Sequence, residues 1–372
     1  MRDYIELLLG EETTQLFDSY GRPLRHLRIS VTGRCNFNCF FCHAEGYTVP
    51  PNKDLELSVE EFSVIAEAAK RVGFVDYKLT GGEPLIREDI GEIIDIFASV
   101  GGRVSITTNG SLLVERLKKL DSDKLDHINV SLNSLDREKF KKITGADMLD
   151  KVIEGIYTAY EAGHRIKINF VLLRGLNDNE VEKIVNFASN YAFRLQIIEL
   201  HPVGKAKGGV FAKHHNTISH VYDVLKDRIV KVRYRSGLHA RPILVLDNGL
   251  EVELVLPVKN PIFCSRCTRM RLTWDGKLLP CLSWEGSPPV DVREYMYNAQ
   301  DFEDKVLRVV EAFQRANRLR RPHHMYTLTT KDALRTKRYT MRLGLPKSDG
   351  ILLFVGDNGQ SHLKKYLMEW ND

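Results

Sequence analysis

The sequence predicts an α/β protein whose parallel sheet is curved or closed into a barrel, followed by a region of different rhythm. Two observations predict it. From about residue 26, short β-branched runs alternate with longer amphipathic stretches through six strand–helix-like units. After about residue 205 that alternation stops, and a hairpin pattern and a second cysteine group follow.

The units come in order. HLRISVT (26–32) reads as a strand. LSVEEFSVIAEAAKRVG (57–73) reads as a helix with Ser58 as N-cap and Glu61 completing a capping box. DYKLT (76–80) is a strand ending at Gly81-Gly82, REDIGEIIDIFASVG a helix, and RVSITTNG (103–110) a strand and turn. HINVSLN (127–133) is the next strand, DKVIEGIYTAYEAGH a helix, and RIKINFVLL (165–173) a strand. NDNEVEKIVNFASNYA is helical, and RLQIIELHPVG (194–204) closes the series as strand and loop. Beyond it, residues 240–257 read as two strands around Asp247-Asn248-Gly249. Residues 300–318 read as a helix with early acids and late arginines, matching its dipole. Residues 315–342 are strongly basic, and 351–370 read as strand, turn and helix.

Composition narrows the class. The 372 residues are 43% hydrophobic and 28% charged, as expected of a globular protein with a sizeable core. The net charge of +5 favours anionic ligands and falls short of a nucleic-acid-binding signature. No stretch reaches the ~20 apolar residues that span a membrane. The start does not read as a signal peptide, because acids interrupt its one apolar run. A cytoplasmic location is expected.

The six cysteines form two triplets, at 35, 39, 42 and at 264, 267, 281. Disulfides are rare in a reducing cytoplasm, so tight triplets read as metal or cluster ligands. A [4Fe–4S] cluster usually takes four thiolates, and a loop supplying three leaves one iron open. S-adenosylmethionine (SAM) can chelate that iron and be cleaved there to a 5′-deoxyadenosyl radical. The alternative for the first triplet is zinc, with His43 as fourth ligand. The setting favours the cluster: the triplet follows the first strand, and Gly81-Gly82-Glu83-Pro84 follows the second. Loops at the C-terminal ends of barrel strands are where ligand chemistry gathers. Phe37, Phe40 and Phe41 read as core packing or as a shield over the cluster.

The second triplet also lacks an evident fourth ligand, since His323 and His324 lie far along the chain. A cluster with an iron open to substrate competes here with a zinc staple. Arg266, Arg269 and Arg271 crowd it, and arginines two apart on a strand point the same way. Their forks suit phosphate oxygens or the acceptor edge of guanine.

Several segments resemble one family. They are Asp18-Ser-Tyr-Gly-Arg-Pro, Leu27-Arg-Ile-Ser-Val-Thr, Cys-x3-Cys-x2-Cys, Leu79-Thr-Gly-Gly-Glu-Pro-Leu-Ile-Arg, Thr108-Asn-Gly and Val130-Ser-Leu-Asn-Ser-Leu-Asp. Phe263-Cys-x2-Cys-Thr-Arg-Met-Arg-Leu-Thr and Pro280-Cys-Leu complete the set. Together they resemble the radical SAM GTP 3′,8-cyclases, molybdenum-cofactor biosynthesis protein A. The resemblance implies an incomplete TIM-type (β/α)6 barrel whose open side is closed by a C-terminal cluster-binding region. It implies segments at 1–25, 26–205 and 206–345, with 346–372 as an extension. Two [4Fe–4S] clusters follow, on Cys35, Cys39 and Cys42 and on Cys264, Cys267 and Cys281. Phe41, Gly82, Glu83, Thr108 and Ser131 would serve SAM; Arg28, Lys78, Lys167, Arg269 and Arg271 would serve GTP. The implied partners are an electron donor of ferredoxin or flavodoxin type and a downstream cyclic pyranopterin monophosphate synthase. No nucleic acid and no membrane are expected, and a homodimer is compatible with the reading.

Three departures stand out. Asp76 sits where many relatives carry lysine, and Gln196 where an arginine often stands. The family's terminal Gly-Gly is replaced at Gly344-Leu345, and 27 residues follow. These motivate an alternative: a paralogous two-cluster enzyme acting on another nucleotide or on a peptide. A zinc-stabilised RNA-binding protein is the non-enzymatic alternative. The two-cluster reading expects anaerobically reconstituted protein to carry about eight irons per chain. Finding only about one or two zinc ions would sink it.

Overall fold

The computed structural model describes residues 14–46, 50–258, 260–283 and 288–322. Within it, strands β1 (His26–Ser30), β2 (Asp76–Thr80), β3 (Arg103–Thr108), β4 (Leu125–Ser131), β5 (Ile166–Leu172) and β6 (Arg194–Glu199) pair in parallel and in chain order. Helices α1 (Val59–Arg71), α2 (Ile90–Ser99), α3 (Arg137–Thr144), α4 (Leu149–Glu161) and α5 (Val181–Tyr191) connect them. The alternation read from the sequence is this β/α series.

Local signals account for the boundaries. In α1 the Glu61 amide donates to Ser58 Oγ (3.2 Å) and the Ser58 amide to Glu61 Oε2 (2.8 Å), which is the capping box. Phe62, Ile65, Ala66 and Ala69 form its buried stripe at helical spacing. Gly145 ends α3 at φ +72°, where a side chain would be strained.

The C-terminal half extends both edges of the same sheet. On one side β9 (Glu251–Val255) pairs in parallel with β6, and β8 (Pro242–Leu246) and β7 (Ile229–Tyr234) follow antiparallel. Gly249, at φ +83°, turns the expected β8–β9 hairpin. On the other side β10 (Arg269–Leu272) pairs in parallel with β1, and β11 (Lys277–Leu279) and β12 (Val290–Asp291) follow antiparallel. Helix α6 (Phe302–Arg318), capped by Asp301, packs Phe313 against Phe74 at 5.3 Å between ring centres.

The sheet is curled. Residues of β1, β2, β4, β5, β6 and β10 line one cavity of about 370 Å³. Strands lie ~4.8 Å apart, so in a flat sheet β1 and β6 would be separated by roughly 24 Å. Curling brings them around one space, as an incomplete barrel does. Among the described residues no helix is long and apolar enough to cross a membrane. The tail at Gly344-Leu345, the extension beyond it, His323, His324 and most of the basic segment lie outside the described residues.

Candidate active site

The first cysteine loop leaves the C-terminal end of β1. Gly81 and Gly82 position it. A Cβ on Gly82 would lie 2.0 Å from the Arg34 carbonyl oxygen, and one on Gly81 2.5 Å from that of Thr32. Both line the cavity, yet their tightest contact is with the backbone that opens the cysteine loop. The Gly82 amide donates to Thr32 O (2.7 Å) and the Glu83 amide to Arg34 O (2.8 Å).

Inside the loop, amides donate to sulfur: Phe37 N to Cys35 Sγ and Ala44 N to Cys42 Sγ, each at 3.4 Å. Cys35 is exposed, while Cys39 and Cys42 are half-buried. Desolvation nevertheless pushes the Cys35 thiol up to about 11 and that of Cys39 to about 12. Cluster iron binds thiolates, so loading this loop would release the thiol protons. His43 accepts the Glu45 amide at Nδ1 (3.0 Å), so one of its ring nitrogens is occupied. Among the described residues no three His, Cys, Asp or Glu side chains converge as the ligand set of a single ion would. Phe37 packs edge-on against Phe140, and Phe40 against Phe41.

Phe41, Gly82, Thr108 and Ser131 line the cavity. Glu83 sits behind them, fully buried. Its carboxylate accepts the Thr108 hydroxyl (2.6 Å) and the amides of Asn109 (2.6 Å) and Leu85 (3.1 Å). Burial pushes its carboxyl up to about 7 against these donors. Asn109 Nδ2 reaches Asn36 Oδ1 (2.8 Å), tying the end of β3 to the cysteine loop.

The second triplet faces the same cavity. Cys264 lies in the short helix Pro261–Ser265, Cys267 just before β10, and Cys281 after β11. A buried charge cluster holds the loop. Arg22 Nη1 donates to Cys264 O (2.8 Å), and Arg320 donates to Cys267 O. Asp18 pairs with Arg22 (2.7 Å) and Arg320 (3.2 Å). Burial pushes the Cys267 thiol up, but Arg320, Arg269 and Arg22 outweigh it and the net shift is downward. The Asp18–Pro23 segment carried a sequence signal; its link to Arg320 did not.

Cations fill the space between the triplets. Arg28 and Arg271 share Glu45, with Arg28 Nε at 2.8 Å and Arg271 Nη1 at 2.5 Å from Oε2. Lys78 donates to Asn129 Oδ1 (3.1 Å); burial and the nearby Lys167, Arg28 and Arg269 push it well below the usual lysine range. Neither Lys78 nor Arg269 has a carboxylate partner among the described residues. Four of the five basic residues singled out in the sequence therefore line this cavity. Lys167 lines a second one of about 260 Å³ and pairs with the buried Glu253; burial brings it down to about 8. Asp76 lines that second cavity too, between His26 (3.1 Å) and Arg103 (2.9 Å), and Gln196 lines both. Sequence reasoning missed Glu45 and Arg241, which no motif marked.

Comparison with known proteins follows this division of the chain. Residues 29–188 match the radical SAM superfamily, and residues 193–326 match Molybdenum Cofactor Synthesis C. A probable GTP 3′,8-cyclase of Aeropyrum pernix is 43% identical over 319 residues, covering 84% of this chain and 88% of that protein. One from Sulfurisphaera tokodaii is 43% identical over 314 residues, covering 84% and 97%. This chain belongs to the GTP 3′,8-cyclase family. As a radical SAM protein it uses SAM and an iron–sulfur cluster.

Two solved structures share the fold of this cyclase-family chain. SuiB of Streptococcus suis bound to S-adenosylmethionine aligns with a TM-score of 0.57 at 18% identity, over 74% of this chain. This chain spans 65% of SuiB's length. Native anSMEcpe with bound AdoMet aligns at 0.55 and 15% identity, over 86% of this chain and 97% of that one.

Two predictions follow from the geometry. Asp18→Asn leaves Arg22 and Arg320 buried without a counter-charge. A lost buried ion pair costs about 3–5 kcal/mol, so thermal unfolding should shift down. Metal held at the second triplet should be lost as that loop loosens; unchanged metal content and melting temperature would refute the bracing role. The second concerns Glu83, whose carboxyl rises from its ordinary 4.5 to about 7 on folding. Between those values the folded chain keeps a proton that the unfolded chain releases, so this group's stability contribution falls as pH rises. Glu83→Gln, neutral throughout, should flatten that part of a thermal-stability profile.

Proposed function

We propose that this chain is a GTP 3′,8-cyclase, catalysing the first step of molybdenum cofactor synthesis. The observation that carries the reading is the single cavity onto which both cysteine triplets open, with Arg28, Lys78, Arg269 and Arg271 lining it. Cys35, Cys39 and Cys42 would hold one [4Fe–4S] cluster and Cys264, Cys267 and Cys281 a second. The first, when bound, supplies the electron that cleaves SAM to the 5′-deoxyadenosyl radical that takes the ribose C3′ hydrogen.

The chain's own residues bind and orient. Phe41, Gly82, Thr108 and Ser131 border the place for SAM beside the first loop. Glu45 neutralises Arg28 and Arg271 and holds them fixed. Lys78 and Arg269 keep charge for the substrate, because a buried cation without a carboxylate is stabilised by an anionic ligand. The enclosing sheet keeps water from a reactive carbon radical, and holding the reactants at one distance replaces a bimolecular encounter. Closure of C3′ onto guanine C8 needs both parts of one nucleotide held together, which suits cations on one side and the second triplet on the other. On this reading an external reductant of ferredoxin or flavodoxin type supplies electrons, and a pyranopterin synthase consumes the product.

The test is anaerobic turnover of reduced, reconstituted protein with SAM and GTP deuterated at C3′. The expected outcome is 5′-deoxyadenosine carrying the deuterium, formed in step with a cyclised nucleotide. Deoxyadenosine without a GTP-derived product would overturn the reading and favour a different nucleotide or a peptide.

A further inference from the structure

The two cavities meet at five residues that line both: Arg28, Lys78, Gln196, Arg241 and Arg269. Four are cations, one is a neutral amide, and none is an acid. Arg28 is committed to Glu45 by two bonds. Arg241 is differently placed. It is buried, and its Nη1 reaches Glu253 (3.1 Å) and Gln196 (3.4 Å). Its Nη2 donates to His239 Nδ1 (2.9 Å). Its Nε is buried and has no hydrogen-bond partner. Glu253 is shared three ways, with Lys167 and with Arg235 (3.3 Å) besides Arg241. One carboxylate therefore faces three cations, and the surplus lies at the junction.

The backbone sets Arg241 there at a cost. His239 and Ala240, just before it, sit at φ +68° and +46°, in the region that disfavours side chains. His239 stacks on Phe263 at 3.6 Å, next to Cys264. On β6, Gln196 stands opposite Glu253 in the sheet register and brings no charge. The guanidinium arrives instead from the start of β8 and reaches Gln196 across β9.

We propose that Arg241 binds the phosphate chain of the substrate nucleotide where the two cavities join, supplying from β8 the cation that β6 lacks at Gln196. The inference rests on the nucleotide reading above and adds a specificity residue to it. The larger cavity would take nucleoside and SAM, and the phosphates would pass between Lys78, Arg269 and Arg241 toward the second cavity.

Equilibrium dialysis of the reconstituted, SAM-free enzyme against GTP and against guanosine tests it. Arg241→Gln should weaken GTP roughly 10- to 100-fold, the worth of a charged hydrogen bond, and leave guanosine within about twofold. Arg241→Lys should recover part of the loss, as a point charge without the fork. The double variant Gln196→Arg, Arg241→Gln should recover GTP binding by returning the charge to β6. Lys167 and Arg235 still face Glu253 in each variant, and unchanged iron content reports an intact fold. Equal loss of GTP and guanosine, or no loss of either, overturns the inference. Failure of the wild type to cyclise GTP is a separate result that strikes the proposed function and appears in the turnover assay.

Discussion

Unbalanced positive charge inside the curled sheet governs the rest of the site. Arg28, Lys78, Arg241, Arg269 and Arg271 line one cavity, and Glu45 and Glu253 are the buried carboxylates that pair with members of the set. Burial raises Glu45, but Arg28, His43 and Arg271 pull it well below the usual range, and it stays a carboxylate. The same crowding drives Lys78 down and Arg269 down. A cavity built this way is destabilised when empty and stabilised by an anion, so part of the folding free energy is held back for ligand binding. Glu83 gives the contrast: its partners are a hydroxyl and two backbone amides, burial prevails and the carboxyl rises.

Presenting two cysteine triplets to one cavity demands that both loops be rigid, and the fold solves this twice by different means. The first loop is fixed by backbone approach at Gly81 and Gly82, where any side chain would collide with Thr32 and Arg34. The second is fixed by guanidinium groups that reach in from both ends of the described chain, Arg22 and Arg320, joined through Asp18. The first device is local and tolerates little change in residue size. The second is electrostatic and depends on all three charges together, because each is buried.

This difference explains how much was legible in the sequence. Periodicity gave the six β/α units, the capping box at Ser58 and Glu61, and the hairpin at Gly249, because each signal lies within a few residues. Both cysteine triplets were legible for the same reason. The Asp18–Arg22–Arg320 cluster joins residues about 300 apart in the chain, and no local pattern announces it. Lys167 is placed by depth as well as by face. Strand alternation says which face a side chain takes but not how deep along the barrel it lies, and Lys167 belongs to the lower cavity beside Glu253. The Gly81-Gly82 motif is visible in the sequence, while the backbone it approaches, at Thr32 and Arg34, lies far back in the chain and is not marked by it.

The position of Arg241 ties these threads together. Its strand, β8, enters the sheet through β9 alone on that side, and its guanidinium is braced by His239, which stacks on the residue preceding Cys264. A ligand drawing on Arg241 therefore also loads the hairpin that carries it and the loop of the second triplet. A cation on β6 at position 196 would sit on the barrel wall and have no such connection. Moving the charge from the barrel to the C-terminal strands makes binding of an anionic tail depend on correct packing of the second-triplet region against the barrel. On the proposed role of Arg241, loose packing of the second-triplet region would lower affinity for the nucleotide.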